Sequence, residues 1–182
     1  MNQKWSRVFE IVLALQQKPH YLRELESTVN VPHSTLVRVL KFLKGCSIVG
    51  SSKEGKIKRF YLRNTIEAKN FVFMAEKYKM IKFLERFPGV RALVEVLYEI
   101  PCKPVIIFGS YASFSSGEKS DIDLFIETED EKVIEKVVAV DPRVRVKFGK
   151  FDPGSRLGKE IVSNHVIVKG VEKFYERLEK YS

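Results

Sequence analysis

The sequence predicts two folded units: a mainly helical N-terminal one finished by a basic β-hairpin, and a C-terminal one that alternates helices with strands. Three observations predict this. Apolar residues recur at helical spacing three times before residue 45. After Pro88-Gly89, short apolar runs of strand length alternate with helical stretches, which implies an α/β layer. The charge divides at the same place. Residues 1–88 hold 17 Lys/Arg against 7 Asp/Glu, whereas residues 89–182 hold 15 against 16. The whole basic excess behind the net charge of +9 therefore lies in the first half, which favours a polyanionic partner there.

Composition narrows the class. With 45% hydrophobic and 30% charged residues, the 182-residue chain reads as a soluble globular protein. No apolar run is long enough to span a bilayer, and the segment from Met1 to Trp5 lacks a signal peptide's apolar core. Cys46 and Cys102 have no CxxC spacing, so neither a zinc site nor a disulfide framework is indicated. A reducing cytoplasm is the expected compartment.

In the basic half, Trp5, Val8, Phe9, Val12 and Leu13 follow an amphipathic template. Pro19 ends that helix. Leu22, Leu25 and Val29 mark a second helix, broken at Asn30-Val31-Pro32. Ser34 is the expected N-cap of a third helix, whose buried stripe is Leu36, Val39, Leu40 and Leu43, with Gly45 near its end. Ser47-Ile48-Val49, a turn from Gly50 to Gly55, and the strand-like run Ile57–Leu62 follow.

Three helices, a tight turn before the third, and a basic hairpin form a pattern that resembles the winged helix-turn-helix domains of prokaryotic transcription regulators. The resemblance covers His20 to Arg63. It implies double-stranded DNA as partner, with the third helix in the major groove and the wing on backbone or minor groove. His33, Ser34, Thr35, Arg38 and Lys41 on the third helix, and Lys53, Lys56, Lys58 and Arg59 on the wing, are the expected DNA-binding residues. The bland alternative is a set of surface cations on a protein-contact domain. Phe42 falls near the outward face, and packing against the wing or another subunit is its expected role.

Residues 67–87 read as a helix with apolar residues on more than one side: Phe71, Ala75 and Tyr78, then Phe73, Met80 and Leu84. Such a helix is either a spacer between domains or a homodimer interface.

The second half carries the chemistry. Val105 to Phe108 is an apolar strand, Gly109-Ser110 follows it, and Ser120-Asp121-Ile122-Asp123 opens the next strand, Leu124-Phe125-Ile126. Carboxylates at i and i+2 on a strand share a face and suit a hard cation such as magnesium. A Gly-Ser turn at a strand end offers backbone N–H groups to phosphate. The segment from 109 to 123, GSYASFSSGEKSDID, resembles the polymerase-beta-like nucleotidyltransferases, particularly the minimal members found in archaea and bacteria. That resemblance implies that Gly109 and Ser110 bind the phosphates of an NTP, that Ser120 and Gly117 shape the loop, and that Asp121 and Asp123 are catalytic and hold Mg²⁺. Tyr111 is a helix-start residue or a packing aromatic.

One departure stands out. Active members of that family carry a third carboxylate on a neighbouring strand. Here that strand offers Arg143, Arg145 and Lys147 on one face and Val144, Val146 and Phe148 on the other. Asp141 and Asp152 lie at its ends, where position speaks against either filling the role. His165 is expected on a turn or the surface, and Gly154–Lys159 reads as a loop lacking Walker spacing.

The expected architecture is a winged helix over residues 1–66, a connecting helix over 67–88, and a minimal nucleotidyltransferase-like α/β domain with a small mixed sheet over 89–182. The expected function is transfer of a nucleoside monophosphate from a Mg-NTP to a protein or nucleic-acid hydroxyl, tethered to DNA by the winged helix. The alternative is a DNA-binding regulator or antitoxin whose nucleotidyltransferase domain is inactive and serves nucleotide sensing or contact with a partner, such as a toxin or a second copy of the chain.

Overall fold

The computed structural model describes residues 3–117 and 120–179. Glu118 and Lys119 of the motif loop, and the outermost residues of both expected domains, lie outside them. The chain forms two compact units, Met1–Tyr78 and Lys79–Ser182.

In the first unit, α1 (Gln3–Gln17), β1 (His20–Tyr21), α2 (Leu22–Val29) and α3 (His33–Gly45) precede the hairpin β2 (Val49–Glu54) and β3 (Ile57–Leu62). The strands form an antiparallel sheet in the order β1-β3-β2. This is the helix and strand order of a winged helix. The α1 stripe sits further round than its sequence spacing suggests. Val8, Ile11, Val12 and Leu15 are buried, while Trp5 is exposed and Leu13 is only half-buried. Asn30 ends α2 in the left-handed region at φ 47°, a conformation that a short polar side chain tolerates. Leu25, Leu36, Leu40, Leu43, Ile48 and Phe60 complete the core.

Two local expectations are corrected here. Ser34 is not the N-cap of α3. Pro32 holds that position without a side-chain cap, and the helix starts at His33. Nor is Gly50–Gly55 a turn: β2 runs through to Glu54, leaving Gly55-Lys56 as a two-residue loop with Gly55 at φ +64°. Gly50 is tolerated inside the strand because the Tyr61 ring lies over it, so close that a Cβ would meet ring atoms at 2.5 Å.

Helix α4 (Ile66–Arg86) begins on Thr65, whose hydroxyl accepts from the Ala68 N–H at 3.2 Å. Its first turns bury Ala68, Val72, Ala75 and Tyr78 in the first unit, where Tyr78 lies 5.4 Å from Phe9 by ring centroids. Its last turns contribute Met80 and Phe83 to the core of the second unit.

That second unit continues through a 3₁₀ turn at Pro88–Val90, α5 (Arg91–Glu99), β4 (Val105–Phe108), α6 (Gly109–Ala112), β5 (Ile122–Ile126) and α7 (Glu131–Val138). It ends with β6 (Val144–Phe148), α8 (Arg156–Ser163), β7 (His165–Lys169) and α9 (Val171–Glu179). The sheet order is β6-β5-β4-β7, with only β5 and β6 parallel. Leu93, Val94, Leu97, Val133 and Val137 cover one face, meeting Ile107, Ile122, Leu124, Val144 and Val166. On the other face, Phe125, Phe151, Phe174 and His165 form an aromatic cluster.

Three further readings change. Residues 154–159 are not a loop, because Ser155 caps α8 by accepting from the Gly158 N–H at 2.9 Å. His165 is neither in a turn nor on the surface: it is buried on β7, its Nδ1 is 2.9 Å from the Ile161 carbonyl, and its ring lies 4.7 Å from Phe174. Phe148, expected with the inward valines, is half exposed at the end of edge strand β6. Among the described residues, no helix is long and apolar enough to cross a membrane.

Candidate functional site

Two surfaces carry the residues singled out by sequence, one in each unit. On α3, the buried stripe faces inward and leaves His33, Ser34, Arg38 and Lys41 exposed, with Thr35 half-buried. Val37 is exposed among them. The Nδ1 of His33 is bonded to the Glu26 carboxylate of α2, so the helix start is held by its predecessor. Phe42, on the same helix, stands edge-on to Trp5 at 6.3 Å and so packs on α1 rather than on the wing.

On the wing, Lys53, Lys56 and Lys58 are exposed. Lys53 and Lys58 are direct cross-strand partners. Like charges placed so, with Cβ atoms about 5 Å apart, repel and destabilise the hairpin. Lys44, at the end of α3, donates from Nζ to the Ser51 Oγ at 3.0 Å. Ser51 and Lys53 share a face of β2, so the cation row of α3 runs onto the Lys53/Lys58 face of the wing. Sequence reasoning missed Lys44, although its spacing of three from Lys41 was visible.

Arg59 is differently placed. It lies on the opposite face, 3.2 Å from Glu54 and 5.8 Å from the Tyr21 ring centre. The Tyr21 hydroxyl donates to the same Glu54 carboxylate. That bond, with Arg59 behind it, holds Glu54 below its ordinary range and raises Tyr21. Arg59 is thus committed to a local network, unlike the three lysines.

The second surface surrounds the Gly-Ser and Asp-x-Asp segments. Gly109 adopts φ +67° at the end of β4, and an added Cβ would meet the Asp123 Oδ2 at 2.5 Å. A glycine is required there both by backbone conformation and by the approach of Asp123. Asp123 is flanked in the sheet by Phe108 and Arg145. The Ser110 carbonyl accepts from the Ser115 N–H at 3.1 Å and from the Ser113 Oγ at 2.9 Å, and the Ser120 Oγ accepts from the Gly117 N–H at 3.0 Å. The Ser113 and Ser120 hydroxyls therefore fold the loop. Tyr111 is buried among Phe83, Phe87 and Phe114, with its hydroxyl 3.2 Å from Arg143, so it packs.

The neighbouring strand supplies cations. Arg145 pairs in register with Asp123, and its Nη2 lies 3.3 Å from the Asp121 Oδ1. Its Nη1 donates to the carbonyls of Pro142 and Val144 at 3.0 and 3.2 Å. Burial raises the Asp123 pKa, as do the charges of Asp121 and Glu160, while Lys147 and Arg145 oppose the rise. Glu160, on α8, is thus an acid near Asp123 that sequence reasoning missed, since its segment did not read as a helix. Neither strand-end carboxylate is available. Asp141 accepts from the Arg143 Nε at 3.0 Å and Nη2 at 2.7 Å, which holds it below the usual range. Asp152 accepts from the Gly154 N–H at 2.9 Å.

A hard divalent cation fits this donor set poorly. Asp121 is already ion-paired, a guanidinium occupies the side from which a third carboxylate would reach, and among the described residues no group of three His, Cys, Asp or Glu could hold a metal.

No protein-family model matches the chain, and no curated protein does. Similar solved structures include the adhesin competence repressor AdcR from Streptococcus pyogenes, at 18% identity and a TM-score of 0.37, over 51% of this chain and 78% of that one. A toxin-antitoxin structure with AMP-PNP matches at 19% identity and a TM-score of 0.34, over 57% of this chain and 85% of that one. TrmBL2, an archaeal chromatin protein described with a novel mode of DNA binding, matches at 16% and 0.29, over 76% of this chain and 60% of that one. At these scores the likenesses are partial and assign this chain to no family.

Proposed function

We propose that this chain is a DNA-binding regulator whose second unit keeps the outline of a nucleotidyltransferase site without its chemistry. The observation that carries the DNA-binding reading is the Lys53/Lys58 cross-strand pair, joined by Lys44 to the exposed cations of α3. Two lysines held opposite one another cost stability in the free protein and gain it back against a polyanion. Arg38 and Lys41 lie on α3, the helix that would enter the major groove.

For the second unit, Arg145 favours the inactive reading. A cation at 3.3 Å from Asp121 stands where metal-assisted transfer needs an anion. The unit then serves as a nucleotide sensor or as a docking surface for a protein partner, such as a companion toxin. The catalytic reading has one observation in its favour: Gly109 and Asp123 keep the close approach that a phosphate-and-carboxylate site uses.

Two assays separate the readings. Fluorescence anisotropy of labelled duplex DNA should show salt-sensitive binding that is lost in Arg38→Ala/Lys41→Ala. Incubation with labelled NTPs and Mg²⁺ should leave protein and nucleic acid unlabelled. Label that disappears in Asp121→Asn and Asp123→Asn would reinstate the enzyme.

A further inference from the structure

The tip of the wing carries an apolar residue where a purely electrostatic contact has no use for one. Ile57 is 58% exposed, follows the two-residue loop Gly55-Lys56, and is succeeded by Lys58. It pairs with Glu54 as the last rung of the antiparallel ladder, so its backbone is fixed by the sheet. Its β-branched side chain has few rotamers to lose. Nothing lies within 4 Å of a Cβ added at Gly55, so the tip is open to a partner. Ile57 shares its strand face with Arg59 and Tyr61, opposite buried Phe60, and the Arg59–Glu54–Tyr21 network braces that face just behind it.

We infer that Ile57 is a wedge that enters the minor groove of duplex DNA and opens a base step, with Lys56 and Lys58 beside it on the flanking phosphates. The inference rests on the DNA-binding reading. Charge complementarity selects the partner, because the apolar group sits between two lysines on a hairpin whose third lysine, Lys53, is also exposed. Unstacking a base step costs free energy that an apolar side chain recovers by leaving water, and the resulting bend brings more phosphate to the basic surface. Flexible pyrimidine–purine steps open at least cost, so the wedge confers a preference for them without hydrogen-bonding a base.

The test uses the full chain and short duplexes carrying a donor and an acceptor dye at their ends, one with a central TA step and one with a stiff A-tract. Wild type should shorten the dye separation on the TA duplex and not on the A-tract. Ile57→Ala should abolish the shortening and weaken TA-duplex binding about tenfold, the share expected from the exposed part of one isoleucine. Its salt dependence should be unchanged, because no cation has been removed. Ile57→Met, of similar volume, should restore the bend. If Ile57→Ala bends and binds as wild type while Lys53→Ala/Lys58→Ala weakens binding, the wedge is wrong and DNA binding stands. If wild type binds no duplex at low salt, both fall. A change in self-association on Ile57→Ala, seen by light scattering without DNA, would instead make the tip a contact between copies and overturn the wedge.

Discussion

Replacing Arg145 by alanine isolates what that guanidinium does to the carboxylates beside it. The side chains of Arg145 and Asp121 are both more than half exposed, so their ion pair contributes little to folding, within about 1 kcal/mol. Its effect on a cation is larger. A unit charge at the observed 3.3 Å interacts with another by about 1.3 kcal/mol even at the dielectric constant of water, and a divalent ion doubles that. Arg145→Ala should therefore raise Mn²⁺ affinity at Asp121 and Asp123 by up to about a hundredfold at low salt, with screening reducing the gain. Titration calorimetry with Mn²⁺, repeated in Arg145→Ala/Asp121→Asn, reads this directly. Wild type that binds Mn²⁺ tightly through Asp121, with no gain in Arg145→Ala, would refute the reasoning.

Two further substitutions test the geometry of the second unit. Gly109→Ala combines a left-handed backbone with a 2.5 Å approach to Asp123, and should cost about 2–3 kcal/mol in chemical denaturation. In an Asp123→Ala background only the backbone part, about 1–2 kcal/mol, should remain. Asp141 and Asp123 should respond to pH with opposite signs. The hydrogen bonds from Arg143 lower Asp141, so its contribution is complete above the ordinary 3.8 and is lost as pH falls through its folded value. Asp141→Asn should thus lower the Tm at neutral pH and lose that effect in acid. Burial, with Asp121 and Glu160, raises Asp123, so its ionised form costs stability at neutral pH and protonation relieves the cost. Asp123→Asn should raise the Tm at neutral pH, with the gain vanishing below 3.8.

What the sequence disclosed depended on how locally each feature is determined. The α3 stripe of Leu36, Val39, Leu40 and Leu43 is buried as its spacing requires, because helical period alone sets it. The strands on either side of the Gly-Ser turn were legible for the same reason, being continuous apolar runs. Strand β1, two residues long, has no local signal and exists only because His20 and Tyr21 meet Phe60 and Arg59. The extent of β2 was hidden by Gly50, which reads as a turn residue in sequence and is covered by Tyr61 in the fold. Helix α8 was masked by glycines that a loop would also carry. Gly158 is required because a Cβ there would come within 1.9 Å of the Asp152 carbonyl oxygen. At the candidate site, the alternation of strand residues put Arg145 and Lys147 on one face. Only the register of β6 against β5 placed Arg145 opposite Asp123. The acid on α8 depended on tertiary packing and had no sequence signature.

The central claim is that the basic face of the first unit binds the phosphates of duplex DNA, and the dependence of affinity on salt measures it most directly. For the full chain, log affinity should fall linearly with log salt. Lys53→Ala/Lys58→Ala should flatten the slope by about two, near one for each phosphate deprived of its lysine. An unchanged slope in that variant, or duplex binding indifferent to salt, would contradict the account.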